Sequence, residues 1–424
     1  MNRYENTVIS PQAEQQSKVS IATHDVVIIG GGSAGIAIAY GLINRDPALN
    51  IGIIEPAETH YYQPGWTMVG GGIFTAQQTA RYMADVMPKG VAWYRKYAVS
   101  IAPDTHQVVL DDRAVLGYRA LVVAPGLELH WEGIEGLTET LGRNGVTSNY
   151  SFDMAPYTWE LIKSTKQGTA LFTQPPMPIK CAGAPQKAMY LACDHWRREG
   201  VLTSINVAFH NAGGALFGVD AYVPALMQYI NRYGIALNLQ QQLVAVDGAR
   251  SEATFQISNG QEQRAEHVVP FDMLHVVPPQ RAPALIRNSL LANNAGWLDL
   301  DPKTLQHVRY PDIFGAGDVS GTSNAKTAAA ARMQAPIVAD NVIAFLAGQG
   351  LSKRYHGYGA CPLTVEKGRV ILAEFGYGGE LQPTLPKWLN DSQRATRQAW
   401  WLKSQGLPFV YWHFMLKGRE WLTR

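Results

Sequence analysis

An α/β fold is what this 424-residue sequence predicts, and three features carry the prediction. Near its start an apolar run, a glycine turn and an alanine-rich stretch follow one another ("HDVVIIGGGSAGIAIAYGL", 24–42). Far down the chain a second apolar run ends in Gly315-Ala316-Gly317-Asp318. Between them a third strand–loop–helix unit opens at "TALFT" (169–173). Strands that alternate with helical stretches build parallel sheets covered by helices. The prediction is two Rossmann-like domains followed by a C-terminal region of different composition.

Residues 1–24 are polar, have no apolar h-region and read as a loose arm rather than a signal peptide. The first unit then carries Gly30, Gly32 and Gly35 in G-x-G-x-x-G spacing. The first glycine permits a tight turn, the second lets backbone approach a pyrophosphate, and the third lets helix and strand pack closely. The helix N-terminus adds N–H donors and positive partial charge. The strand "NIGIIEP" ends at Glu55, about 20 residues beyond the last glycine, where an acid accepts ribose hydroxyls. The Gly317-Asp318 turn resembles the second FAD motif of flavoproteins built from two dinucleotide domains, so FAD rather than NAD is the expected cofactor. "YRALVVAPGLEL" (118–129) returns the chain to this domain, with Pro125 where such proteins usually carry threonine.

After Asp318, Ser323 or Asn324 is expected to cap a helix, Pro336 to kink it, and Lys326 to lie in its first turn facing reduced flavin. The FAD-binding domain is thus expected over 25–149 and 276–345. A second dinucleotide-like domain is expected over 150–275, and a C-terminal region over 346–424.

The middle domain lacks a usable NAD fingerprint. Gly213 and Gly214 are adjacent and Gly218 is too far off. The loop where a fingerprint belongs, "PMPIKCAGAPQK" (176–187), carries Cys181 instead. A Pro/Gly loop before a helix N-terminus, with Lys180 alongside, favours a thiolate. Cys361 is expected in a loop before a strand, and Cys193, within a helical run, reads as a small buried hydrophobe.

Composition narrows the classes. Net charge is +2 and only three cysteines are present, which argues against nucleic-acid binding and a disulfide scaffold. No apolar stretch reaches the roughly 18–20 residues of a spanning helix. The tail from Lys387 onward holds seven Lys/Arg (387, 394, 397, 403, 417, 419, 424) against two acids, and five of the eleven tryptophans. Phe409, Tyr411, Trp412, Phe414, Met415, Leu416 and Trp421, flanked by Lys403, Lys417 and Arg419, suit an interfacial helix on anionic lipid.

The segments "HYYQPGWTMVGGG" (60–72), "PIKCAGAPQK" (178–187), "FDMLHVVPPQ" (271–280), "GAGDVSGTSNAKTAAAARMQ" (315–334) and "CPLTVEKGRVILAEFGY" (361–377) resemble sulfide:quinone oxidoreductase, in the subgroup with two redox cysteines. The resemblance implies that Cys181 and Cys361 are the redox pair, joined directly or through a bridging sulfur. It implies that Cys361 takes the persulfide and Cys181 passes electrons to FAD. Gly30, Gly32, Gly35, Glu55, Gly317 and Asp318 match cofactor contacts, and Gln63 and Pro64 match a loop beside the flavin. The implied partners are hydrogen sulfide, membrane quinone, and glutathione, sulfite or further sulfide as sulfur acceptor. No metal is implied; an oligomer is compatible. Attachment would be monotopic, on the cytoplasmic face of a bacterial inner membrane. Two rivals share the fold: an NAD(P)H:quinone oxidoreductase and a non-enzymatic FAD-binding signalling protein.

Overall fold

The computed structural model describes residues 21–258 and 265–420. The first sheet orders its parallel strands Ala92–Tyr94, Ile51–Ile54, Ile21–Ile29 and Val115–Val123, with Ile313–Gly315 also pairing on Val115–Val123. Antiparallel strands Gln107–Leu110 and Ala98–Ala102 extend it. The central strands become apolar at every position over Val26–Ile29 and Ala120–Val123, where both faces are covered. Val26, Ile28, Ala120 and Val122 pack with the helices Ser33–Arg45 and Ala328–Leu346. Val27, Ile29, Leu121 and Val123 face Ile286, Leu291 and Leu298.

Two expectations change here. The first strand begins at Ile21 and pairs with Val115–Tyr118, so residues 21–24 belong to the sheet and not to the arm; residues 1–20 lie outside the described residues. The long helix is capped by Thr327, whose hydroxyl accepts from the Ala330 amide at 3.1 Å, rather than by Ser323 or Asn324, and it runs through Pro336 as one element.

The second sheet is parallel, in the order Val146–Thr147, Met273–His275, Gly168–Gln174, Ile205–Asn211 and Ala236–Leu239. Helix Ala184–Arg198 packs against it through Ala188, Met189, Ala192 and Trp196. A C-terminal hairpin, Gly359–Glu366 with Arg369–Phe375, then joins the two halves. Cys361 lies inside its first strand, opposite Ala373, not in a loop before it.

Side chains alternate across a strand, and this hairpin uses both faces. Cys361, Leu363, Val365, Ile371 and Ala373 pack into the second domain. Ala360, Pro362, Leu372 and Glu374 line the main cavity.

The tail follows as Arg397–Trp401, a π-helical turn Leu402–Gly406, Leu407–His413 and Met415–Lys417. No helix among the described residues is long and apolar enough to cross a membrane. Much of the expected interfacial surface is core: Tyr411, Trp412, Met415 and Leu416 are buried against helix Ser33–Arg45 and its neighbours. Lys403 is buried too, at 2 % exposure. The exposed apolar side chains are instead Trp388, Leu389, Trp401 and Phe409. Trp421 and Arg424 lie outside the described residues.

Candidate active site

A cavity of about 800 Å³ runs from the first glycine turn to the C-terminal hairpin and tail. Its glycine-turn end is built by backbone. Gly30 has φ +101°, and a Cβ there would meet the Ala124 carbonyl oxygen at 2.4 Å. A Cβ on Gly35 would sit 1.9 Å from the Gly30 carbonyl oxygen, whereas one on Gly32 would meet nothing. Gly30 and Gly35 are therefore glycines for packing, and Gly32 leaves open the side from which a phosphate approaches. Glu55 is held by the amides of Gly31 (2.7 Å) and Ala57 (2.8 Å), and burial raises its pKa. Across the cavity, Gly317 adopts φ +77° and Asp318 faces the space with no hydrogen-bond partner for its carboxylate among the described residues. The buried Thr67 hydroxyl and Asn149 amide also lack partners, and both residues line the cavity. Phosphate-approachable backbone, two acids and orphaned polar groups along an elongated space fit FAD.

The two cysteines meet. Cys181 Sγ and Cys361 Sγ are 3.6 Å apart, both as free thiols. Gly183 makes this approach possible, since a Cβ there would lie 2.5 Å from Cys361 Sγ. Cys181 adopts a left-handed backbone, φ 52°, pinned by its amide to the Lys326 carbonyl at 2.8 Å and by its carbonyl to the Ala184 amide at 2.7 Å. Cys181 lines the cavity; Cys361 stands behind it. Lys187 Nζ donates to Cys181 Sγ at 3.1 Å. The Cys361 thiol first, and then Lys187, hold Cys181 well below an ordinary thiol against the cost of burial. Cys361 is driven the other way, by the Cys181 charge it would face and by burial. The pair is asymmetric: Cys181 is the more acidic of the two thiols and the one that faces the cavity.

Lysines account for most of what the sequence did not reveal. Lys187 was the partner to look for rather than Lys180, because a cation in a helix's first turn opposes the helix dipole and needs a local anion. Lys180 instead donates to Gln63 Oε1, and burial lowers its pKa. Lys403 reaches in from the tail to donate to the Pro64 carbonyl at 3.0 Å; burial and Lys187 push its pKa down to about 7. Gln63 and Pro64 thereby tie both lysines to the cavity rim.

Lys326 does not face the cavity. Its Nζ donates to the carbonyls of Asp318 (2.8 Å) and Ser320 (2.6 Å) and lies 3.9 Å over the Trp297 ring. It props the Gly317–Asp318 turn from behind. Cys193 is fully buried, as expected.

One further contact was not legible at all. Tyr411 of the tail joins Ser33 Oγ at 2.7 Å and His60 Nε2 at 2.6 Å, next to the glycine turn. His60 is buried, and its pKa falls to about 4. The tail is thus part of the cofactor site's wall.

Replacing Lys187 with Met removes a charge favouring the Cys181 thiolate. The thiolate should then form about 1–3 pH higher, with the largest loss of rate on the acid side. Ultraviolet thiolate absorbance of the reduced protein against pH checks this; an unmoved titration would mean that Lys187 does not control the thiol.

The fold and this thiol pair beside a dinucleotide cavity define a disulfide-type flavoprotein oxidoreductase. A family description, pyridine nucleotide-disulphide oxidoreductase, matches residues 24–154. The chain is 41% identical over 397 residues to mitochondrial sulfide:quinone oxidoreductase of Dictyostelium discoideum, covering 93% of this chain and 86% of that protein. It is 38% identical over 395 residues to the mouse mitochondrial enzyme of the same name, covering 93% and 87%. The solved sulfide:quinone oxidoreductase of Aquifex aeolicus shares the fold with a TM-score of 0.77 and 19% identity, over 94% of this chain and 92% of that one. The chain belongs to the sulfide:quinone oxidoreductase family.

Proposed function

We propose that this chain oxidises sulfide with FAD and passes two electrons to a membrane quinone, with Cys181 and Cys361 as the redox pair. The observation that carries the reading is the asymmetric pair of sulfurs, 3.6 Å apart, at the wall of the cofactor cavity. With the pair bridged, hydrosulfide attacks the Cys361 sulfur. The bond to Cys181 breaks, Cys361 becomes a persulfide, and Cys181 departs as thiolate. The thiol with the lower pKa is the better leaving group, and Lys187 receives the charge that appears on it. Because Cys181 alone of the two lines the cavity, the thiolate stands on the cofactor side. Bound FAD supplies the two-electron acceptor between thiols and quinone. A small thiol, sulfite or sulfide removes the outer sulfur from Cys361, and the cysteine pair closes again as its two electrons leave.

The rival donor is NAD(P)H. The glycine-poor loop carrying Cys181 stands against it, as does a use for both thiols. Under anaerobic conditions sulfide should bleach the bound flavin and NADH should not. Rapid bleaching by NADH at modest concentration would overturn the reading.

Quinone lives in lipid, so the enzyme must reach a membrane surface. Trp388, Trp401 and Phe409 are 84%, 64% and 56% exposed, with Lys387 and Arg397 exposed nearby in sequence. Trp401 and Phe409 adjoin Leu402, Leu407 and Val410, which line the cavity. We place the lipid contact there, with attachment by side chains rather than by a span. The curated relatives named above are mitochondrial, which lends no support to a bacterial cytoplasmic face.

A further inference from the structure

Quinone reduction takes up protons as well as electrons, and the apolar end of the cavity contains one buried carboxylate. Glu374 is 3 % exposed, on the hairpin face that also presents Ala360, Pro362 and Leu372 to the cavity. Its Oε1 accepts from the Tyr358 hydroxyl at 2.6 Å and from Thr384 Oγ1 at 2.5 Å, and its Oε2 accepts from the Thr384 amide at 3.1 Å. Its backbone is clamped as well: the Tyr222 hydroxyl bonds both the Glu374 amide and its carbonyl at 3.0 Å. No ion pair to Glu374 is present among the described residues. A buried carboxylate held by hydroxyls rather than by a cation is not explained by stability, because such a group costs more to bury than an apolar residue of similar size.

Its surroundings suit a proton path. Tyr358, Glu374 and Thr384 all line the cavity, alongside Leu385, Leu402, Leu407 and Val410. Thr384 lies between the exposed Pro383 and Pro386, at the water side. Burial first, and then the Glu374 charge, raise the pKa of Tyr358, so the phenol stays protonated. The other ionisable groups on this part of the wall are Arg332, Arg354, Tyr355, His356 and Lys403. Lys403 bonds the Pro64 carbonyl on the thiol side.

We propose that Glu374 and Tyr358 form the proton relay to quinone, an inference that rests on the function proposed above. Two electrons come from the reduced cofactor. Two protons come from water, which also receives those released by sulfide oxidation. Glu374 takes a proton from the Thr384 side. Its hydrogen bond with Tyr358 then reverses, and the phenol hydrogen turns to the cavity. As the quinone oxygen gains electrons, the Tyr358 O–H breaks, the quinol O–H forms, and the Glu374 proton restores the phenol. Glu374 returns to carboxylate, and a second passage completes the quinol.

The test is Glu374→Gln and Tyr358→Phe in the full-length holoenzyme, with each half-reaction followed separately by stopped flow. Reduction by sulfide should be unchanged in both variants. Reoxidation by quinone should slow by about 10²-fold or more, the usual scale of general-acid catalysis. Formate should restore part of the rate in Glu374→Gln. Time-resolved infrared spectra taken during reoxidation by quinone should show a transient carboxylic-acid band that Glu374→Gln lacks. Quinone reoxidation within about 2-fold of the parent, or a loss that formate does not restore with the infrared band unchanged, overturns the relay. If the parent protein fails either half-reaction, the functional reading falls first and the relay with it. If Glu374→Gln does not retain FAD, Tyr358→Phe decides by the same criteria.

Discussion

Serine at Cys181 or Cys361 is expected to lower sulfide-dependent quinone reduction by about 10³-fold or more, the scale seen when a nucleophile of a catalytic unit is removed. FAD should stay bound, because neither sulfur supports the glycine turn or Asp318. The two variants should fail differently. Cys361→Ser removes the sulfur that accepts sulfide, so no persulfide forms. Cys181→Ser leaves that sulfur but removes the thiolate that Lys187 stabilises and that faces the cofactor. Mass spectrometry after sulfide treatment distinguishes them: a sulfur adduct on Cys361 is obtainable only in the second, and only if a sulfane-sulfur donor supplies the oxidising equivalents. Cys193→Ala serves as the comparison. It removes one buried sulfur far from the pair in function, costs about 1 kcal/mol of stability, and should leave turnover near that of the parent. Activity retained in Cys361→Ser would overturn the assignment of the pair.

Deleting the chain from Trp400 onward is expected to destroy the holoprotein, not merely to free it from lipid. Tyr411, Trp412, Met415 and Leu416 are each 5 % exposed or less. Each fully buried large apolar side chain contributes about 1.5–3 kcal/mol, and four together rival the whole stability of an ordinary domain, about 5–15 kcal/mol. The deletion also removes the Tyr411 hydroxyl from Ser33 and His60, beside the cofactor's pyrophosphate turn. FAD content and the thermal unfolding midpoint measure this outcome. The proper test of membrane contact is Trp388→Ser, Trp401→Ser and Phe409→Ser in one protein, since these side chains are exposed. That variant should keep FAD and lose sedimentation with anionic liposomes. Reoxidation by long-tailed quinone should slow more than reduction by sulfide. Unchanged sedimentation would put the lipid contact elsewhere, and a truncated protein that still holds FAD would show the tail to be dispensable to the fold.

How much of this was legible in the residues follows the range of each interaction. The glycine turn was, because its meaning is local: Gly30 and Gly35 are required by backbone atoms of their own strand–turn–helix and its neighbour, and the spacing alone encodes that. The middle domain's departure from a nucleotide loop was legible for the same reason, as was the inert Cys193. Lys326 was misread because it stands before the helix, which Thr327 caps, rather than in its first turn, and a lysine there has two directions to point. The choice was made by Trp297 and two carbonyls, brought together only when the sheet forms.

The tail was misread for a related reason. Aromatic and basic residues in sequence look alike whether the aromatic face meets lipid or protein. Composition fixes their amphipathic character but not the partner. Helix Ser33–Arg45 and its neighbours supplied that partner and buried four of the apolar residues, while Lys403 turns inward to the Pro64 carbonyl.

By itself, then, the sequence determined the α/β class, the dinucleotide turns, and the presence of two cysteines without a nicotinamide loop to feed them. Those are properties of short segments, set by backbone sterics and strand–helix periodicity. Only the tertiary structure decided that Cys181 faces the cavity while Cys361 stands behind it, and that Lys187 rather than Lys180 carries the compensating charge. It also decided that Glu374 looks into the apolar end with a phenol beside it. Each of these depends on which face of a strand or helix is turned toward a distant part of the chain, and that is settled by packing.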